Sequence, residues 1–166
     1  MTAADLARLA ASGEGPSLEF KHRVPRPERL AKEVVAFANT DGGRVLIGVN
    51  DDASVVGVRD AEEEAYAVQH ALDTHIDPPV RVAVAIVPIP ATQRDVLVIN
   101  VPPSTERPHF VVDETTEAVP QAYVRIGASS VEASREAVKL MRHRPADEHG
   151  VRFEYGDKEA LLMRYL

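Results

Sequence analysis

The sequence contains no cysteine. That excludes a disulfide framework, a thiolate zinc site and a cysteine nucleophile. It has no run of about 18 apolar residues, so it offers no candidate for a membrane-spanning helix. The first residues, Met1-Thr2-Ala3-Ala4-Asp5, lack the basic flank and apolar stretch of a secretory signal. Neither a Walker loop nor a GxGxxG fingerprint is present, so spacing supports no nucleotide cofactor. The six histidines are scattered without ligand spacing, and only His22 lies near an acidic stretch. A cytoplasmic protein with no place in a membrane is the expectation.

What is present is enough to fold. The 166 residues are 45% hydrophobic and 27% charged, which fits one domain with a real core and at most a short appendage. The net charge of −7 argues against attraction of the whole surface to nucleic acid. The charge is unevenly spread. Residues 1–59 balance eight Lys/Arg against eight Asp/Glu, residues 60–120 carry three against eleven, and residues 121–166 carry eight against seven. Two stretches are locally basic. One holds Lys21, Arg23, Arg26, Arg29 and Lys32; the other holds Arg125, Arg135, Lys139, Arg142 and Arg144. They read either as solvated helix faces or as confined surfaces for a polyanion.

Hydrophobic periodicity gives the elements. A short helix over Asp5–Ala11 breaks at Gly13, Ser17–Lys21 is extended, and Pro27 opens a helix to Thr40. Val45–Val49 reads as a buried strand, with Val55–Val58 returning as its hairpin partner. Asp60 and Glu63 start a helix to about His75, stopped by Pro78-Pro79. Val80–Ile89 and Val96–Val101 form a second hairpin, Pro102–Pro108 is a loop, and Phe110–Val112 and Ala122–Ile126 are short strands. Ser129 and Glu132 are expected to cap a last helix running to Met141. The sum is an α+β domain: a mixed, mostly antiparallel sheet of about six strands with three to four packed helices over residues 1–143. Residues 144–156 read as a linker. Asp157–Leu166 reads as the start of a helix, as if a following domain, such as a winged helix, had been removed.

One segment suggests chemistry: Glu14-Gly15-Pro16-Ser17-Leu18-Glu19-Phe20-Lys21. Carboxylates five apart share neither a helix face nor a strand face, but a break at Gly15-Pro16 allows them to converge. Mg²⁺ or Mn²⁺ takes one or two carboxylates plus water and phosphate oxygens. Such an ion activates water for displacement at phosphorus, with Lys21 as a neighbouring positive charge. Exposed glutamates with no such role are the alternative. Asn50-Asp51-Asp52 reads as turn chemistry, and Ser129-Ser130 as a helix cap.

The segment Glu14-x4-Glu19-Phe20-Lys21 is followed by Ala36-Phe37-Ala38-Asn39-Thr40-Asp41-Gly42-Gly43, then Leu46-Ile47-Gly48-Val49 and Val56-Gly57-Val58. Downstream come Asp77-Pro78-Pro79, Val101-Pro102-Pro103-Ser104, Arg107-Pro108 and Tyr123-Val124-Arg125-Ile126-Gly127-Ala128-Ser129. This order resembles the Schlafen AlbA_2 domain family over roughly residues 6–143. The resemblance implies a DNA-binding or transcription-regulator module, or a metal-dependent endoribonuclease on tRNA or rRNA like the animal Schlafens. It carries the acidic triad onto Glu14, Glu19 and Asp51, with Asp52 one residue away, as Mg²⁺ or Mn²⁺ ligands. Lys21 keeps the basic residue beside them. Arg23, Arg26, Arg29, Lys32, Arg125, Lys139 and Arg142 become candidate phosphate contacts, with RNA the likelier partner. The animal enzymes have two tandem copies forming a clamp, whereas this chain has one, which a homodimer could restore. A non-catalytic regulator and a pure interaction scaffold are the rival readings.

Overall fold

A computed structural model describes residues 1–143. The expected linker and the expected final helix lie outside the described residues. Thr2 and Asp5 open the first helix with a reciprocal cap: each backbone N–H is accepted by the other's side chain, at 2.9 and 3.1 Å. This helix, α1 (Ala3–Ala11), is followed by β1 (Leu18–Lys21). Pro27 occupies the first turn of α2 (Pro27–Ala38), where its missing N–H costs nothing. Next come β2 (Gly43–Ile47), α3 (Ala61–His75), β3 (Ile76–Asp77), β4 (Ala83–Ile89) and β5 (Arg94–Val101). The described chain closes with β6 (Phe110–Val111), β7 (Tyr123–Ile126), β8 (Ser129–Glu132) and α4 (Arg135–His143).

The central sheet has four strands in the order β1-β2-β5-β4, with β1 parallel to β2 and the other pairs antiparallel. α2 and α3 cover one face, burying Leu30, Val34, Phe37, Val68 and Leu72 against Val45, Ile47, Leu97 and Ile99. α1 covers part of the other face through Leu6 and Ala10, which pack with Phe20, Leu46, Val87 and Val98. Two small ribbons, β3–β6 and β7–β8, stand outside this sheet, and α4 packs on the latter through Ala137 and Met141. The domain is α+β, as the patterning implies. The strands are split four, two and two rather than joined in one six-stranded sheet.

Two local expectations are corrected. Val55–Val58 does not form a hairpin strand with Val45–Val49. After Gly48, at φ +103°, the chain loops back so closely that a Cβ on Gly48 would lie 2.8 Å from the Gly57 Cα. Val55 and Val58 then make single bridges, to Val49 and Asp95. Ser129 and Glu132 do not cap a helix either. Gly127 (φ +56°) and Ala128 form a two-residue turn, so Ser129–Glu132 returns as β8 along β7. The last helix begins three residues further on, with Ser134 Oγ accepting from the Ala137 N–H at 3.1 Å.

Candidate functional site

Alternation along β1 sends Leu18 and Phe20 into the core under α1 and turns Glu19 and Lys21 to the α2 side. The preceding loop is folded tightly on itself, with the Gly15 N–H donating to the Leu18 carbonyl at 3.0 Å. This turn brings Glu14 back along the strand, where its Oε1 accepts the Phe20 N–H at 2.8 Å. The two glutamates therefore do converge, through the Gly15-Pro16 break.

Glu19 is buried and held from both sides. Its Oε1 lies 3.0 Å from Lys21 Nζ, and its Oε2 accepts from Arg125 Nη2 at 2.8 Å. Glu33, from the middle of α2, completes the cluster: Oε1 lies 3.6 Å from Lys21 and Oε2 lies 3.1 Å from Arg125 Nη1. Ser130 of β8 donates to the same Glu33 oxygen and accepts from Arg125 Nη1.

Arg125 is the largest departure from the sequence reading. It was expected to meet phosphates at the surface, yet its side chain is 1% exposed. Its guanidinium also donates to the Gly15 and Leu18 carbonyls and lies 4.7 Å above the Phe37 ring. A planar fork with five donors can satisfy such a set of acceptors at once. Arg125 is thus an internal counterion that ties β7 to β1 and α2.

Burial pulls the Lys21 amine down, but its hydrogen bond to Glu19 and the charges of Glu19, Glu33 and Glu14 outweigh this and raise its pKa. Lys21 stays cationic. Glu14 is pushed up, first by partial burial, then by the neighbouring Glu19 and the charge of Asp51; its bond from Phe20 opposes the shift. Asp51 sits exposed in the turn after β2 and reaches the cluster through its charge. Four carboxylates (Glu14, Glu19, Glu33, Asp51) face two cations, leaving two negative charges in excess.

This crowding has a consequence for stability. Glu14 holds its proton more tightly in the folded chain than in the unfolded one, where it titrates near 4.5. Between those two pKa values the folded state carries more protons, so stability falls as pH rises. Glu14→Gln keeps an oxygen for the Phe20 N–H and removes the charge. In EDTA it is expected to be more stable than the parent at pH 7. At about pH 3.5, below both pKa values, the advantage should vanish. Urea midpoints at the two pH values measure this, and a less stable variant at pH 7 would contradict the crowding.

The carboxylates have the donor chemistry of Mg²⁺ or Mn²⁺, which bind through one or two protein carboxylates plus water and phosphate oxygens. Among the described residues, however, no three His, Cys, Asp or Glu side chains are grouped as a metal cage. Glu19 has both oxygens engaged by cations, whereas among the described residues Glu14 and Asp51 form no ion pair. Glu14 and Asp51 are therefore the carboxylates here that could take an ion, while Glu19 holds Lys21.

Of the expected basic contacts, Arg23, Arg26 and Arg29 are exposed and line one concavity of about 620 Å³ with His22, Val24 and Pro25. This loop follows Lys21 directly. His22 is fixed by a 2.6 Å hydrogen bond from its Nδ1 to Asn50, beside Asp51. Lys32 is half-buried and lies over the Tyr123 ring at 5.4 Å. Lys139 and Arg142 are exposed on α4, where they line a different hollow with Phe110 and Val119. The sequence reading missed Glu33 and Ser130. Glu33 follows Lys32 on a helix face read as solvated, and Ser130 was assigned to a cap. The Gly127-Ala128 turn between two alternating runs was the signal that could have placed Ser130 on a strand.

The sequence pattern of the family described as Schlafen, AlbA_2 matches residues 14–134. The fold is similar to the solution structure of the N-terminal domain of a RecG-related protein, named for an ATP-dependent DNA helicase, from Nitrosomonas europaea. That match has a TM-score of 0.54 at 21% identity and covers 92% of this chain and 99% of that domain. It is also similar to the DIP2311 protein from Corynebacterium diphtheriae, with a TM-score of 0.57 at 22% identity over 88% of this chain. There the match spans only 28% of the longer protein.

Proposed function

Because the chain belongs to the Schlafen AlbA_2 family, we propose that it is a nucleic-acid-binding domain carrying a divalent-metal phosphodiesterase site at the Glu14 end of β1. The observation that carries this reading is the adjacency of an acid cluster with excess negative charge to a concavity lined by three exposed arginines, Arg23 and Arg26 before α2 and Arg29 in its first turn. Arg23, Arg26 and Arg29 seat the phosphates of a strand. Lys21, kept cationic by Glu19 and Glu33, offsets charge that builds up at phosphorus. Glu14 and Asp51 would hold the ion, which supplies a water activated at neutral pH. Arg125 takes no part in contact with the strand; it fixes Glu19 and Glu33. RNA is the substrate class proposed first, on the family resemblance.

The full chain is to be incubated with labelled tRNA, single-stranded RNA and duplex DNA, each with Mn²⁺, Mg²⁺ or EDTA. Metal-dependent cleavage is expected, falling at least about 100-fold in Glu14→Gln while binding persists. The Arg23→Gln/Arg26→Gln/Arg29→Gln variant is expected to bind all sequences more weakly. Its dependence of log K on log salt should flatten by up to about 2–3.

A non-catalytic binder is the second reading, favoured by the engagement of both Glu19 oxygens. It requires salt-sensitive binding in both proteins and no cut with any metal. Absence of salt-sensitive binding would overturn both readings.

A further inference from the structure

α1 has nine residues and so spans only about 13 Å, too little to cover its whole face of the central sheet. On the uncovered part, β4 presents only Ala83 and Ala85, both exposed, beside Arg44 of β2 and Asn100 of β5. Small side chains there leave a cleft of about 610 Å³ lined by Leu9 and Pro102; Val82 and Val101 also border it, although their side chains pack with the core under α2 and α3. The cleft is largely apolar, yet two arginines, Arg44 and Arg81, line it. Arg44 Nε donates to Asn100 Oδ1 at 3.0 Å, which orients the group and leaves its terminal N–H donors free of that bond. Among the described residues neither arginine has a carboxylate partner.

Two cations, one of them oriented by Asn100, beside an apolar wall call for a ligand with an apolar body and an oxyanion head. The lining decides which kind. Besides the arginines, its polar side chains are Ser17 and Asn100, and the Asn100 amide is engaged on both sides, by Arg44 and by the Ala83 carbonyl. That leaves little to read the edges of a nucleobase. We propose that this cleft binds an apolar monocarboxylate, its carboxylate paired with Arg44 and Arg81 and its body laid against Leu9, Ala83 and Pro102. The carboxylate could belong to a free small acid or to the C-terminus of a peptide; the chemistry is the same. Glu19, paired with Val45, points to the other face of the sheet, so this site is separate from the acid cluster.

The full chain is titrated by calorimetry with octanoate and 3-phenylpropionate, with 1-octanol as the uncharged match. A tetrapeptide ending in leucine is tested with its C-terminus free and amidated. Saturable binding of at least one carboxylate is expected, with a Kd below about 1 mM, and none of its neutral counterpart. Binding of the small acids or of the free peptide identifies the source. Arg44→Gln/Arg81→Gln should weaken binding at least about tenfold. Ala83→Leu, which fills the floor from an exposed position, should also abolish it, while Glu14→Gln should leave it unchanged. The proposal is overturned if no carboxylate saturates, or if the neutral compounds bind equally. It is also overturned if inorganic phosphate or AMP binds more tightly than every carboxylate, or if binding survives both cleft variants in folded protein.

Discussion

Arg125→Ala is expected to destabilise the domain by about 3–5 kcal/mol, the range for removing one partner of a buried ion pair. The physical loss is larger than one contact. Glu19 would remain buried, and Glu33 half-buried, without their shared counterion, and the Gly15 and Leu18 carbonyls would lose their donor. Lys21 could neutralise only one of the two carboxylates, and from one side. Arg125→Lys should recover little, since an ammonium has three donors and no fork. Urea unfolding measures the effect, expected as a fall of about 2 M in the midpoint. A loss under about 1 kcal/mol would mean that the pairs are screened like surface salt bridges. Glu19→Gln/Glu33→Gln in the Arg125→Ala background should restore part of the stability, because the cost lies in the stranded charges.

Asn39→Ala is expected to cost about 3 kcal/mol, from buried groups left unpaired. Asn39 is 0% exposed at the C-terminal end of α2. Its Nδ2 donates to the His109 and Tyr123 carbonyls, both at 3.0 Å, and its Oδ1 accepts the His109 N–H at 2.8 Å. One side chain therefore brackets the chain near β6 and β7 to the helix. Its neighbour Thr40 repeats the device, accepting the Arg125 N–H at 2.9 Å and donating to the Ala36 carbonyl. Asn39→Asp tests the bonding directly. It conserves size and the acceptor, but removes the donor and sets a negative charge against two carbonyl oxygens. It should be at least as damaging as alanine, measured by the same unfolding experiment. An aspartate variant as stable as the parent would show that the bracket contributes nothing.

The positions at which local patterning succeeded share a physical trait: their conformation depends on near neighbours. The stripe Leu30, Val34, Phe37, Ala38 placed α2, and Pro27 marked its first turn, because helix faces and first-turn prolines are decided within a few residues. The break at Gly15-Pro16 was enough to foresee that Glu14 and Glu19 converge. The order of motifs was enough to place the chain in its family.

Misreadings arose where a partner distant in sequence decides. Arg125 and Glu33 are 92 residues apart, and each alone looks like a charge on a solvated surface; packing of β7 on α2 buries Arg125 and half-buries Glu33. Asn39 reads as a helix terminator until His109, 70 residues on, is brought beside it. Val55–Val58 has the composition of a strand, but the approach of Gly57 to Gly48 turns it out of the sheet. The sequence by itself determined the helices, the strands of the central sheet, the family and the meeting of Glu14 with Glu19. Tertiary structure alone decided which charges are internal, because an ion pair is buried or solvated according to what packs over it, and that covering comes from segments far along the chain.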